Sequence, residues 1–378
     1  MADNTVIRLP AEERHQLELE ALRLADTYPK PEGWSLSPRM VATFIMGTAG
    51  KRASSNGGTP STYKSADGRE IAITPKYIGD RALIEVAIAT LASDRALLLV
   101  GEPGTAKSWL SEHLTAAISS TSRYVIQGTA GTTEDQIKYS WNYALLLAEG
   151  PSERALVPSP MYRAMQEGKV VRFEELTRCS SEVQDGMLSI LSEKEIAVPE
   201  LRMTVPARRG FSVIATANTR DRGVNDMSSA LKRRFNFAEL PVPEDLASET
   251  AIVEKRTHDL MTDYKLETQL PPDLVKMLVT IFQELRRGRT IDGKVKIKSP
   301  SSVLSTAEAI SVLFNSSILA THFGSGQVSA SEIGRSLVGA VAKEDSRDVE
   351  TLREYLETVV KSRDGREWEQ LYEARRYV

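Results

Sequence analysis

Residues 96–108 read Ala96-Leu97-Leu98-Leu99-Val100-Gly101-Glu102-Pro103-Gly104-Thr105-Ala106-Lys107-Ser108. The first five are apolar, as in a buried strand, and a glycine-rich octet follows at once. Leu110, Leu114 and Ile118 then recur at helical spacing. A strand, a glycine-rich turn and a helix in that order bring backbone N–H groups and a helix N-terminus together on an anion. The stretch from Gly101 to Ser108, with Trp109 next to it, therefore predicts a phosphate-binding loop. In such a loop Lys107 reaches the β- and γ-phosphates of a nucleotide and the Ser108 hydroxyl ligates Mg²⁺. Ala106 stands where glycine is usual, so this reading requires Ala106 to lie near right-handed helical dihedrals, where a Cβ carries no penalty.

Working outward, short apolar runs alternate with helical periodicity from Lys76 to about Asp245, which predicts a parallel sheet covered by helices. The candidate strands are Ala96 to Val100, Tyr124 to Gln127, Val170 to Phe173, Phe211 to Thr216 and Phe237 to Val242. After Pro243 the apolar spacing is helical, over Leu274 to Leu285, Val303 to Leu313 and Val349 to Val360. The N-terminal part predicts one helix after Pro10 and another from Ser37-Pro38. Between Gly47 and Glu70 the only large apolar residue is Tyr63, the composition of a linker. The expected organisation is an α/β nucleotide-binding domain over 76–245, preceded by a helical extension with linker (1–75) and followed by an all-helical lid (246–378).

The run Lys169-Val170-Val171-Arg172-Phe173-Glu174-Glu175 reads as a strand ending in two adjacent carboxylates, whose side chains diverge. One can hold Mg²⁺ through water while the other polarises an attacking water. Glu174 takes the metal-side position that Asp usually fills, so an extra methylene has to be absorbed. Arg172 is out of place in a central strand that should be apolar throughout. The later strand FSVIATA ends in Asn218, a polar tip suited to positioning water or feeling the γ-phosphate, before the polar stretch from Thr219 to Gly223. Arg233 and Arg234 precede the last strand as a solvated basic cluster, or as guanidinium delivered across a subunit boundary.

The ordered set GEPGTAKS, VVRFEELTRCSSEVQDGMLSILSEKEIAV, FSVIATAN and ALKRRF resembles the MoxR family of AAA+ ATPases over roughly residues 76 to 316. The resemblance implies an AAA+ P-loop αβα core with a parallel five-stranded sheet. It matches Lys107 and Ser108 to the phosphate and Mg²⁺ residues, Glu174 and Glu175 to the acidic pair, and Asn218 to the sensor at the fourth strand. Arg234 matches the finger arginine, and Arg233 remains an alternative. It further implies ATP and Mg²⁺ as cofactors and a homo-oligomeric ring, a hexamer, with ATP between neighbours. The implied partner is a protein client, such as one with a von Willebrand factor A domain, that is remodelled or matured. Residues 134–168 fall where the family carries an insert, with Tyr139, Trp141 and Tyr143 read as core aromatics. Residues 195–209 match a β-hairpin. Ser301 stands where a second-sensor arginine is expected, leaving Arg286, Arg287 or Arg289 as stand-ins or as a solvated basic helix end.

Composition narrows the alternatives. The 378 residues are 41% hydrophobic and 26% charged, with a formal net charge of −3, which argues against nucleic acid as the default partner. A nucleic-acid motor would need a basic pore lining. A weakly hydrolysing nucleotide switch is a second alternative, motivated by Ala106, Glu174 and Ser301. The single cysteine, Cys179, allows no intrachain disulfide, and the four histidines lack metal-ligand spacing. The polar start of the chain and the absence of an apolar run near the ~20 residues of a membrane span predict a cytoplasmic protein without a membrane anchor.

Overall fold

The computed structural model describes residues 8–48, 62–218, 225–243, 245–301, 304–341 and 347–377. The stretch from Thr219 to Gly223, most of the predicted linker, and Val303 lie outside the described residues. Two compact units emerge: the chain up to Glu102 with Ala106–Leu240, and Pro103–Thr105 with Pro241–Val378.

The first unit begins with a short helix (Ala11–Arg14), followed by helices α1 (Gln16–Ala25) and α2 (Pro38–Met46). Ser37 caps α2, its hydroxyl accepting the Met40 N–H, and Pro38 sits in the first turn where its missing N–H costs nothing. A two-residue hairpin pairs Tyr63–Lys64 with Glu70–Ile71. Helix α3 (Arg81–Ala92) leads into strand β1 (Ala96–Gly101), and the glycine-rich turn opens into α4 (Lys107–Ser119). Strands β2 (Val125–Gln127), β3 (Val170–Glu174), β4 (Ser212–Asn218) and β5 (Phe235–Glu239) complete the sheet.

The sheet order is β5-β1-β4-β3-β2, with every neighbour parallel. Strand β4 is buried along its whole length, as a central strand covered on both faces must be. The last strand starts two residues earlier than the sequence spacing predicts. Phe235 and Ala238 face inward and Phe237 is half exposed, while Pro241 and Pro243 lack the N–H that would extend the ladder.

The helices before residue 75 are not set apart from this core. Leu19, Leu22, Val41, Phe44 and Ile45 share one apolar cluster with Leu97 and Leu99 of β1, with Leu110 and Leu114 of α4, and with Ile214 of β4. Burial on that scale contributes roughly 1.5–3 kcal/mol per large side chain. The extension is thus a packed layer over the sheet, and composition could mark its helices but not the face that receives them.

Residues 134–168 hold two short antiparallel strands, Tyr139–Trp141 and Leu156–Pro158, and the helices Tyr143–Glu149 and Pro160–Glu167. Tyr139 and Trp141 meet edge to face and pack against the core, whereas Tyr143 is 68% exposed and so is not the core aromatic that the sequence predicted. Residues 195–206 form the expected hairpin, Glu195–Val198 against Met203–Pro206.

The second unit is helical: α5 (Leu246–Asp263), α6 (Pro272–Arg287), α7 (Thr306–Phe323), α8 (Ala330–Val341), α9 (Arg347–Thr358) and α10 (Arg366–Glu373). Among its described residues the β pairing is limited to two isolated bridges, Gln269 with Gln327 and Arg289 with Lys296. Two fully buried carboxylates are compensated by partners, as buried charge requires. Glu249 accepts from Gln283, Arg286 and Thr306, and Glu284 from Tyr355, Arg363 and the Ile291 N–H. No helix among the described residues is long and apolar enough to cross a membrane.

Candidate active site

In a parallel sheet, loops at the carboxyl ends of the strands gather on one edge. The carboxyl ends of β1, β3 and β4 bring together Gly101, Glu174 and Asn218, with Asn218 directly beside Gly101 in register. Beyond Gly101 (φ 158°) the chain turns through Glu102, Pro103, Gly104 (φ 79°) and Thr105 before α4 begins. The Lys107 ammonium is buried and donates to the carbonyls of Gly101 (3.0 Å) and Glu102 (2.8 Å), drawing the turn closed around its own side chain.

Ala106 departs from expectation. It is the N-cap of α4 at φ 65°, ψ 23°, a left-handed conformation rather than the helical one that the sequence reading required. The turn must reverse direction between Thr105 and Lys107, and the alanine Cβ is carried through that reversal at a cost of roughly 1–2 kcal/mol.

The two acids diverge. Glu174 ends β3 and is 4% exposed; its Oε2 accepts from the Ser108 hydroxyl (2.6 Å) and Thr216 (2.8 Å), and its Oε1 from Ser111 (2.6 Å) and Arg172 (2.8 Å). Burial pushes this carboxyl up, but the Arg172 charge and the three hydroxyl donors outweigh it and leave it below its ordinary value. Glu175 leaves the strand in a left-handed conformation (φ 57°, ψ 44°). Its carboxylate accepts from Asn218 Nδ2 at 3.1 and 3.0 Å and lies 3.5 Å from Arg178. Because a carboxylate only accepts, the Asn218 amide must turn its nitrogen this way. Gly128 packs so closely that a Cβ would stand 2.4 Å from the Glu175 carbonyl, which fixes the backbone of the pair.

The donor set suits a magnesium ion. A serine hydroxyl and a carboxylate meet at one point, both hard oxygen donors, and would hold the ion together with the phosphates of a bound nucleotide. Among the described residues no group of three or more His, Cys, Asp or Glu could hold a metal without such help.

Other residues singled out from the sequence lie elsewhere. Trp109 points its indole N–H at the Lys76 carbonyl (2.8 Å) and its ring rests on His113, so it ties α4 to the chain before α3. Arg233 and Arg234 are exposed just before β5, and the Ala96 N–H bonds the Arg234 carbonyl. They therefore stand at the amino end of β1, about 17 Å of strand away from Gly101. Ser301 donates its hydroxyl and its N–H to Asp348 (2.7 and 2.8 Å), and Arg286 is paired with buried Glu249 (2.8 Å) rather than solvated. Sequence reasoning missed Ser111, Thr216 and Gly128. A hydroxyl inside the wholly buried strand β4 was the one signal available for Thr216. A separate cavity of about 420 Å³, lined by Leu24, Tyr28, Arg39 and Tyr63 among others, shares no residue with this site.

Comparison with known proteins fits this geometry. Residues 96–235 match the AAA domain of the dynein-related subfamily, and residues 247–378 match the YehL-like AAA+ ATPase C-terminal domain. The chain is 39% identical over 376 residues to the uncharacterized protein YehL of Escherichia coli (strain K12), covering 99% of this chain and 98% of that protein. An uncharacterized protein of Staphylococcus haemolyticus (strain JCSC1435) is 23% identical over 246 residues, 64% of this chain and 88% of its own. Among solved structures, NtrX from Brucella abortus in complex with ADP aligns with 74% of this chain and 62% of its own, at a TM-score of 0.47 and 12% identity. The chain belongs to the YehL-like AAA+ ATPases.

Proposed function

We propose that the protein binds Mg·ATP at the turn from Gly101 to Ser108 and hydrolyses it in a ring of identical subunits. The observation that carries this reading is the convergence of Ser108 on Glu174 and of Asn218 on Glu175 at one edge of the sheet. Bound magnesium would neutralise phosphate charge as it develops. The protein's own groups do the rest. Lys107 binds phosphate oxygens in exchange for loop carbonyls, Ser108 and Glu174 hold the metal side, and Glu175 accepts a proton from the attacking water, oriented by Asn218. Arg234, or Arg233 beside it, reaches a neighbour's site, since β1 separates both from their own. The resemblance to MoxR proteins supports a remodelling role on a protein client, including one with a von Willebrand factor A domain; proteins retained with ATP and released without it would identify that client.

The direct test pairs binding with turnover. Lys107→Ala is expected to lose affinity for a fluorescent ATP analogue, whereas Glu175→Gln is expected to bind it normally and hydrolyse ATP at least about 100-fold more slowly, the usual scale for a general base. Wild-type turnover by Glu175→Gln would remove the assigned base, and a wild type that binds without turning over would favour the nucleotide switch.

A further inference from the structure

Strand geometry explains the arginine that sequence could not. On β3, residues 172 and 174 are two apart and so share a face, here the one turned to Ser108 and Ser111 of α4. Arg172 Nη2 and Nε reach Glu174 Oε1 at 2.8 and 3.1 Å, and Nε also donates to Ser111 Oγ at 3.0 Å. The same guanidinium donates to the carbonyls of Ser108 (3.3 Å) and Ser122 (3.4 Å), so both the beginning of α4 and the chain just beyond its end are tied to it. The arginine and glutamate side chains are 11% and 5% exposed.

We propose that Arg172 is a positioning residue that makes glutamate work where a shorter acid is usual, by drawing Glu174 Oε1 toward Ser111 so that Oε2 alone is presented beside Ser108. The two oxygens have separate duties. Oε1 is occupied by a fixed cation and a hydroxyl, and Oε2 meets only neutral hydroxyls that can rearrange, from Ser108 and Thr216. An aspartate at 174 would withdraw the carboxylate by one C–C bond, about 1.5 Å, and could not stay on the guanidinium and reach Ser108 together. Arginine and glutamate at these positions are therefore a matched pair, and either one changed alone is worse than both changed.

This inference rests on the reading that Glu174 serves the metal. The test uses the full chain and measures the Mg²⁺ concentration that gives half-maximal binding of a fluorescent ATP analogue, with melting curves without nucleotide as a check on folding. Arg172→Met and Glu174→Asp are each expected to raise that concentration about tenfold or more, the scale seen when a partner that holds a metal ligand is lost. The double variant is expected to return to within about threefold of wild type, whereas independent effects would multiply to about 100-fold. Multiplying losses, or single variants with an unchanged requirement, would overturn the proposal. Arg172→Lys keeps the charge with fewer donors and is expected to fall between wild type and Arg172→Met. If Arg172→Met does not fold, Arg172→Lys and Glu174→Asp decide the matter, and wild-type requirements in both would overturn it. Nucleotide binding by the wild type without any Mg²⁺ dependence would instead sink the metal reading of Glu174.

Discussion

Ala106 and Glu175 are two of six described non-glycine residues with positive φ, and both stand in the site. Strained backbone of this kind persists where the surroundings hold it, and it concentrates at functional sites. At Ala106 the strain has a removable cause, the Cβ. Ala106→Gly relieves roughly 1–2 kcal/mol in the folded state and gives back part of that through the freer unfolded glycine. The expected net is a gain of up to about 1 kcal/mol, read as a melting transition of the first unit higher by up to roughly 2–4 °C, with nucleotide affinity retained. A lower melting temperature would show that the alanine methyl makes contacts outweighing its strain. At this scale the sequence was partly legible. The order of loop, acid pair and polar strand tip can be read because each follows an apolar run. The left-handed state of Ala106 and the pairing of Arg172 with Glu174 could not be read, since the first depends on how the turn closes and the second on which face of β3 meets α4.

At the scale of elements, the N-terminal helices grip the helix that follows the phosphate loop. Glu112 of α4 is buried and accepts from Arg8 (2.6 Å) and Arg14 (2.7 Å), and Arg14 also covers the Trp109 ring. His113 Nδ1 lies 2.7 Å from the Trp109 carbonyl, so Nδ1 carries a proton and donates; its Nε2 is buried without a partner. Burial holds His113 well below the ordinary imidazole value of 6.5, and nearby Arg14, Lys76 and His15 add to that against the Trp109 hydrogen bond. Burial also lowers His15, whose ring is 5.2 Å from that of His113. Glu18, facing His15 and Lys76, is held at about 2, because those partners outweigh the opposing effect of burial.

These shifts set a pH profile. The unfolded chain protonates these two imidazoles from about pH 6.5 downward and the folded chain only at lower pH, so their contribution is complete above pH 6.5 and is lost as pH falls toward the folded values, by up to about 1.4 kcal/mol per unit for each group. Glu18 contributes above its unfolded value of 4.5 and loses its contribution as pH falls from there toward about 2. Urea unfolding between pH 7.5 and 5.5 is expected to show falling stability, and His113→Leu to make the fall shallower; an unchanged slope would mean that His113 takes up a proton without unfolding. The elements themselves were legible, with Pro10 announcing the short helix Ala11–Arg14 that leads into α1, and Ser37-Pro38 announcing α2. Their docking was not, because its contacts join residues about 100 positions apart.

At the scale of the whole molecule, the chain carries its glycine-rich loop at one end of β1 and the exposed Arg233 and Arg234 at the other. The proposed function has Arg234 act on the phosphates of a second copy, a head-to-tail contact of the kind that forms a ring when its rotation closes. The five strands and the helical second unit were legible as a pattern of apolar runs, whereas the order of the strands in the sheet was not. Arg234→Ala is therefore expected to bind ATP at its own loop and to lose turnover by on the order of 10³. The measurement that bears most directly on the shared site mixes Arg234→Ala subunits with Lys107→Ala subunits, each inactive alone, and follows ATP hydrolysis. Interfaces that join an intact loop to an intact arginine should restore part of the activity; no recovery, with mixed assembly verified, would contradict a site built between chains.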